Sequence, residues 1–162
     1  MSRILLIDDD IVQFDPDSAD GKPTANIGPL GLFINALERS GHTIERITGP
    51  GSALGLGNQL NQFDLAIVDV MMPPEPATSK FADMFDEEAT SFGLGTGFIL
   101  VEELRKVAPG LPIVLFSNIV SFGGINSGTI EQLVKDGVVA KAISKIDVTP
   151  FQFVQLINEV LQ

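Results

Sequence analysis

The sequence predicts an α/β fold: a doubly wound, five-stranded parallel sheet in the order 2-1-3-4-5, with helices on both faces. Short apolar runs alternate with amphipathic stretches along the chain, which is typical of repeated β-α-β units. Three runs, at 4–7, 65–68 and 113–116, are continuously apolar, as expected for central parallel strands that are buried on both faces. A length of 162 residues is typical of one domain, so we expect a single domain over residues 1–162.

Two further segments complete the predicted sheet. Residues 43–47 are more polar than the three apolar runs, which favours an edge strand. Residues 138–143 form the last apolar run and predict the fifth strand.

Helical spacing of apolar residues fills the intervals between the strands. It predicts four helices, at Leu30–Leu37, Phe98–Leu104, Thr129–Val134 and Phe153–Leu161, and a weaker helix between Gly51 and Gln62. Thr129 is the predicted cap of its helix, because its hydroxyl can accept a bond from a free backbone N–H. Pro150 suits the first turn of the last helix.

Two insertions, at about 13–29 and 73–96, fall outside this plan. Both are rich in Pro, Gly and Asp, which favour turns over regular structure. Each follows the carboxyl end of a strand, so we expect both beside the ligand crevice of the sheet. Within and just after the second insertion, we interpret Phe92 and Phe98 as core or loop-anchoring residues.

Composition excludes several classes of function. A net charge of −11 disfavours binding to nucleic acid and to anionic membranes. The chain has no Cys and one His, which excludes disulfides, thiolate nucleophiles and Cys- or His-based metal clusters. No apolar run is long enough to span a membrane and no signal peptide is recognised, so we expect a cytoplasmic protein.

Chemically competent side chains follow four of the predicted strands. Asp8 and Asp9 follow the first strand, Asp69 the third, Ser117 the fourth and Lys145 the fifth. The first and third strands are neighbours in this topology, so their carboxylates should converge and bind a hard cation such as Mg²⁺. A central carboxylate can also accept a phosphoryl group, whose oxygens a hydroxyl and an ammonium would bind.

The sequence resembles the receiver domain of response regulators, which have a flavodoxin-like fold. The resemblance is carried by Ile4–Asp10, Phe63–Pro73, Pro112–Ser117 and Lys145, in that order. Four such pieces together form a specific signal, although each alone is weak.

The resemblance assigns a role to each site residue. It implies that Asp69 is the phosphoacceptor and that Ser117 is the switch hydroxyl. It also implies that Lys145 takes the place of the invariant lysine of the family. It also implies a Mg²⁺ site, formed at the positions of Asp8, Asp9, Asp69 and Met71, and places Gly97 at the start of the third helix.

The implied function is two-component signalling rather than enzymatic catalysis. A histidine kinase or phosphotransfer protein would phosphorylate Asp69 in the presence of Mg²⁺, and an unknown downstream protein would read the change. Because the receiver and its insertions account for all 162 residues, we expect a stand-alone receiver without an output domain. Homodimerisation is a further expectation from the resemblance.

Two alternatives stay open at the level of sequence. Ile146 stands where the family usually has proline and Ala142 where it usually has an aromatic residue, so the chain could be a degenerate receiver that serves as an unphosphorylated interaction module. Residues 8–12 also fit the Asp-x-Asp-x-Val motif of haloacid-dehalogenase-like phosphatases, with Asp8 as nucleophile and Asp10 as acid/base.

Overall fold

The fold is a five-stranded parallel sheet in the order β2-β1-β3-β4-β5, as predicted. The computed structural model describes residues 1–9, 29–118 and 127–162. The strands are β1 (Arg3–Ile7), β2 (Thr43–Ile47), β3 (Leu65–Val68), β4 (Ile113–Ser117) and β5 (Lys141–Ser144). The predicted edge position of β2 is confirmed, since among the described strands it pairs with β1 alone, and it stays partly exposed throughout.

In the described ranges, five α-helices and one 3₁₀ helix cover the sheet. They are α1 (Pro29–Arg39), α2 (Pro50–Leu54), the 3₁₀ helix (Gly57–Gln62), α3 (Thr96–Val107), α4 (Ser127–Lys135) and α5 (Pro150–Leu161). Helices α1 and α5 pack on one face, and the other helices pack on the opposite face. None of the helices in the described ranges is both long enough and apolar enough to cross a bilayer.

The two faces of the sheet form two apolar cores. Under α1 and α5, the rings of Phe33, Phe116 and Phe153 form a cluster with centroid distances of 4.2–5.3 Å. Helix α5 begins with a capping box, in which Thr149 accepts from the backbone of Gln152 and the Gln152 side chain accepts from the backbone of Thr149. Pro150 follows at the first helical position, as the sequence predicts.

Two predicted helix boundaries are wrong in detail. The weak helix predicted over Gly51–Gln62 is divided into α2 and the 3₁₀ helix, which carries Leu60 into the core. Helix α4 begins at Ser127, so Thr129 lies inside it rather than at its cap. Ser, Gly and Thr all suit a first helical turn, and local sequence therefore does not specify which of them begins α4.

The fifth strand begins later than its apolar run predicts. The backbone N–H groups of Val138 and Val139 donate to the carbonyl of Leu133 at the end of α4, so they do not pair with β4. Pairing starts when Ala140 donates to Ile113. Val139 is nonetheless buried. A buried position outside a strand also favours an apolar residue, which is why the sequence pattern extends the strand too far.

The insertion between β3 and α3 packs onto its own domain. Residues 73–95 form turns without helix or strand, and Thr96, assigned to the insertion from sequence, begins α3. Met72, Phe85 and Thr90 are buried, and Phe81 packs beside them. The insertion predicted at 13–29 lies outside the described residues, apart from Pro29 in α1.

Gly97 joins the start of α3 to the segment that follows β3. Its N–H donates to the carbonyl of Val70 over 2.8 Å. A Cβ atom at this position would lie 2.6 Å from the Cα of Val70 and closer still to the carbonyl oxygen of Asp69. Only glycine allows this approach, because the obstructing atoms are backbone atoms that a rotamer change cannot move.

We expect Gly97→Ala to lower the free energy of unfolding by about 2–4 kcal/mol, because the new methyl group must displace the backbone around Asp69. Urea denaturation measures the loss. Gly110→Ala is the matched control, since a Cβ atom at Gly110 meets nothing within 4 Å and should leave stability nearly unchanged. Equal stability of the two variants would contradict the close approach of α3 to this segment.

Candidate functional site

Two acidic residues meet because β1 and β3 are parallel neighbours in register. Ile7 pairs with Val68, so Asp8 and Asp69 are the next residues along the two strands. The N–H of Asp69 donates to the carbonyl of Ile7 over 3.0 Å, which extends the pairing by one step. Both side chains are buried, at 1% and 6% relative exposure, while Asp9 is exposed. The sequence therefore brings two carboxylates together at the carboxyl edge of the sheet.

Lys145 supplies the counter-charge for these carboxylates from the other side of β4. Its Nζ donates to Oδ2 of Asp8 over 2.7 Å and to Oδ2 of Asp69 over 3.2 Å. The ammonium also lies 5.7 Å from the centroid of the Phe116 ring, within the range of a cation–π contact. The side chain of Lys145 is 13% exposed, so these contacts are only weakly screened by water.

The charge state of Lys145 follows from two opposing effects. Burial disfavours the ammonium and lowers the pKa of Lys145. The attraction of Asp8 and then of Asp69, together with the hydrogen bonds to both, outweighs burial and raises the pKa above its usual value. Lys145 is therefore charged throughout the neutral range.

The remaining predicted residues surround Asp69. Its Oδ1 accepts from the N–H of Met71 over 3.3 Å, which orients the carboxylate. Ser117 ends β4, is 1% exposed and lies beside Ser144 in the pairing with β5. The backbone N–H of Lys145 donates to the carbonyl of Ser117 over 3.3 Å, which continues that pairing by one residue.

The acidic group has the dimensions of a cation site. One carboxylate oxygen each from Asp8, Asp9 and Asp69 lie within 4.8 Å of one another. These are hard oxygen donors, which suit Mg²⁺ or Ca²⁺ better than a soft transition metal. Met71 contributes a thioether, which is a poor ligand for such ions, so only its main-chain oxygen could serve.

A cavity of about 470 Å³ opens above the carboxylates. Asp69, Ser117 and Lys145 line it together with Asp9 and Asn118. The remainder of the wall comes from the segment after Asp69 and from the insertion, through Met71, Met72, Pro73, Pro74, Phe92, Gly93 and Leu94. The expectation that the second insertion lies beside the crevice is confirmed.

Residues 92–94 are the part of the site that the sequence analysis missed. The sequence predicts a core or loop-anchoring role for Phe92, but its side chain is 78% exposed at the edge of the cavity. Ser91 and Phe92 both have positive φ angles, of 52° and 58°, and each such residue costs about 1–3 kcal/mol. The glycines at 93, 95 and 97 are the sequence feature that indicates an unusual backbone conformation in this segment. Phe98, by contrast, packs against the core as expected.

We expect the stabilisation by Lys145 to disappear only in strong alkali. Because its folded-state pKa is raised, the stabilisation is complete below the unfolded-state value of about 10.4 and is lost as pH rises through the folded-state value. Lys145→Met should lower the free energy of unfolding by about 1–3 kcal/mol at pH 7, since two buried carboxylates lose their counter-charge.

Urea denaturation of wild type and Lys145→Met between pH 7 and pH 11.5 measures this difference. The difference should stay constant to about pH 10 and then shrink. Lys80→Met, which changes an exposed lysine, is the control and should have little effect at any pH. A difference that shrinks already between pH 7 and pH 9 would contradict the raised pKa.

Comparison with known proteins gives structural relatives only. Neither a protein-family model nor a curated protein sequence matches the chain. Among solved structures, the CheY-like response regulator receiver domain protein from Methanospirillum hungatei JF-1 matches with a TM-score of 0.59 and 20% identity, over 99% of this chain and 94% of that one.

Two more solved structures show the same likeness. The non-phosphorylated HemR receiver domain from Leptospira biflexa has a TM-score of 0.62 and 21% identity, over 100% of this chain and 95% of that one. NtrX from Brucella abortus has a TM-score of 0.59 and 21% identity over 99% of this chain, which spans only 26% of NtrX. The chain therefore has the fold of CheY-like response-regulator receiver domains.

Proposed function

We propose that this protein is a response-regulator receiver that accepts a phosphoryl group on Asp69 from a histidine kinase or a phosphotransfer protein. The observation that carries the proposal is the ammonium of Lys145, which contacts both Asp8 and Asp69 at the base of an open cavity. The receiver fold and the acidic group are consistent with it.

In the proposed reaction, a carboxylate oxygen of Asp69 attacks the phosphorus of a phosphohistidine. The new O–P bond makes an acyl phosphate, the P–N bond breaks, and the departing imidazole nitrogen takes up a proton from solvent. Lys145 would attract the phosphoryl oxygens, and the hydroxyl of Ser117 would donate to one of them. The Met71 N–H holds Oδ1 of Asp69, which limits rotation of the attacking group.

Mg²⁺ is the proposed cofactor, because the oxygen donors of Asp8, Asp9 and Asp69 suit it. When bound, the ion offsets negative charge on the phosphoryl oxygens. The other roles belong to residues of the chain. Asp9 adds a third carboxylate at the exposed side, and Lys145 keeps the two buried carboxylates in place.

Output would occur through a partner protein. Asp69 and Ser117 lie at the ends of adjacent strands, so phosphorylation would act first on β4, β5 and the residues after them. Ile146 follows Lys145 and is 63% exposed, which offers an apolar contact on that side. A downstream protein or a second copy of the chain could bind there after phosphorylation.

Intact-protein mass spectrometry after incubation with acetyl phosphate and Mg²⁺ tests phosphorylation. We expect one phosphoryl adduct on wild type, and none without Mg²⁺ or in Asp69→Asn, which keeps the shape of the side chain but removes the nucleophile. Asp83→Asn, an exposed position in the insertion, is the control and should react like wild type.

Other outcomes of the same measurement support the alternative functions. Absence of an adduct under every condition would indicate an unphosphorylated interaction module. Release of phosphate that needs Asp8 and not Asp69 would indicate a phosphatase with Asp8 as nucleophile.

Thermal denaturation tests the metal site separately. Mg²⁺ at ten times its dissociation constant should stabilise the wild type by about 1.4 kcal/mol, because the ion binds only the folded state. Asp9→Asn should reduce this gain, since it removes one of the three carboxylates. NaCl at equal ionic strength is the control for screening. If Asp9→Asn responds to Mg²⁺ as strongly as wild type, the ion does not bind at this group.

A further inference from the structure

We propose that Phe92 and Leu94 determine which phosphodonor the site accepts, by contacting the imidazole ring that leaves when a phosphohistidine transfers its phosphoryl group. The inference rests on the proposed function of Asp69. It assigns a role to an inserted segment that supplies apolar side chains to the wall of the acceptor cavity.

The cavity has a polar floor and an apolar mouth. The floor consists of Asp69 and Ser117, which are 6% and 1% exposed. We define the mouth as Met71, Phe92 and Leu94, which line the same cavity and are 42%, 78% and 51% exposed. A donor that enters the cavity on this side therefore comes close to these three side chains, while the exposed Asp9 and Asn118 line the cavity elsewhere.

The direction of the reaction sets the position of the leaving group. In phosphoryl transfer the attacking and leaving atoms lie roughly in line on opposite sides of phosphorus. Asp69 attacks from the floor, so the leaving group points toward the mouth. An imidazole is a flat ring with apolar faces, which Phe92 can stack on and Leu94 can cover. Acetate and ammonia are small and strongly hydrated, so they gain little from the same contacts.

The backbone holds Phe92 in this exposed position. Its N–H donates to the carbonyl of Glu87 over 2.7 Å, and the N–H of Gly93 donates to Oγ1 of Thr90 over 3.2 Å. Thr90 is fully buried and donates to the carbonyl of Asp86, which anchors the turn. Gly93 has a φ of 91°, and a Cβ atom there would lie 2.9 Å from the carbonyl oxygen of Met72.

Packing in the core does not explain the position of Phe92, because its side chain is largely exposed. A single exposed phenylalanine is common, but here Ser91 and Phe92 also adopt left-handed backbone, which is unfavourable for residues other than glycine. The turn contacts the segment that follows Asp69, so the backbone that carries Phe92 has a definite place relative to Asp69. A contact with the donor accounts for both the exposure and the strain.

Three small phosphodonors with different leaving groups test the proposal: phosphoimidazole, acetyl phosphate and phosphoramidate. For each, the rate of adduct formation on Asp69 is measured by intact-protein mass spectrometry with Mg²⁺. We expect the ratio of the phosphoimidazole rate to the acetyl phosphate rate to fall about fivefold in Phe92→Ser, because the ring contact is lost. Leu94→Ser should lower the same ratio to a smaller extent.

Two variants make the result specific to the aromatic ring at the mouth. Phe92→Tyr keeps the ring and should keep the wild-type ratio. Phe151→Ser removes another exposed phenylalanine, 71% exposed at the start of α5, and should also keep it. All three serine variants replace exposed side chains, and urea denaturation establishes that each is folded.

The proposal is overturned if Phe92→Ser leaves the ratio unchanged, or if it slows all three donors equally. It also falls if wild type accepts acetyl phosphate and phosphoramidate but not phosphoimidazole, an outcome that leaves the proposed function of Asp69 intact. Failure of wild type to accept any of the three donors refutes the proposed function instead, and the inference with it.

Discussion

The ammonium of Lys145 between two buried carboxylates is the interaction on which the site depends. Parallel pairing of β1 and β3 forces Asp8 and Asp69 together, and like charges in a poorly solvated place repel. Lys145 offsets that repulsion from the far side of β4. Its place is supported in turn by the ring of Phe116, which belongs to the aromatic cluster under α1 and α5. The core on one face of the sheet therefore supports the charge balance at its edge.

The same charges connect stability with the proposed chemistry. A phosphoryl group brings further negative charge to a place that already holds three carboxylates, so a cation has to accompany it. Lys145 remains protonated at neutral pH because its acidic neighbours outweigh its burial. It can therefore act as counter-ion both for the carboxylates and for an incoming phosphoryl group, without a change of protonation state.

The insertion is connected to Asp69 through the backbone. The hydroxyl of Thr96 donates to the carbonyl of Met72 over 2.5 Å, and the N–H of Gly97 donates to that of Val70. Gly93 approaches the carbonyl of Met72 from the same side. The segment after Asp69 is thus held from behind by the start of α3 and by the last turn of the insertion.

The order of the elements and the identity of the acidic group follow from the amino-acid sequence. Buried parallel strands are continuously apolar, and Asp8 and Asp69 come directly after two of them, so a local pattern locates both residues at one edge. The glycine at 97 could likewise be assigned to the start of α3 from motif position alone. These features depend on short stretches of chain and on one general rule of sheet topology.

Tertiary structure decided the features that depend on distant contacts. Val138 and Val139 are as apolar as strand residues, but their N–H groups bond to the end of α4 instead of to β4. Phe92 is as apolar as a core residue. The hydrogen bond from its N–H to Glu87 and the close approach of Gly93 to Met72 nevertheless turn it outward to the cavity. An apolar side chain prefers burial. Whether it is buried in the folded protein depends on the backbone hydrogen bonds and close contacts that form around it.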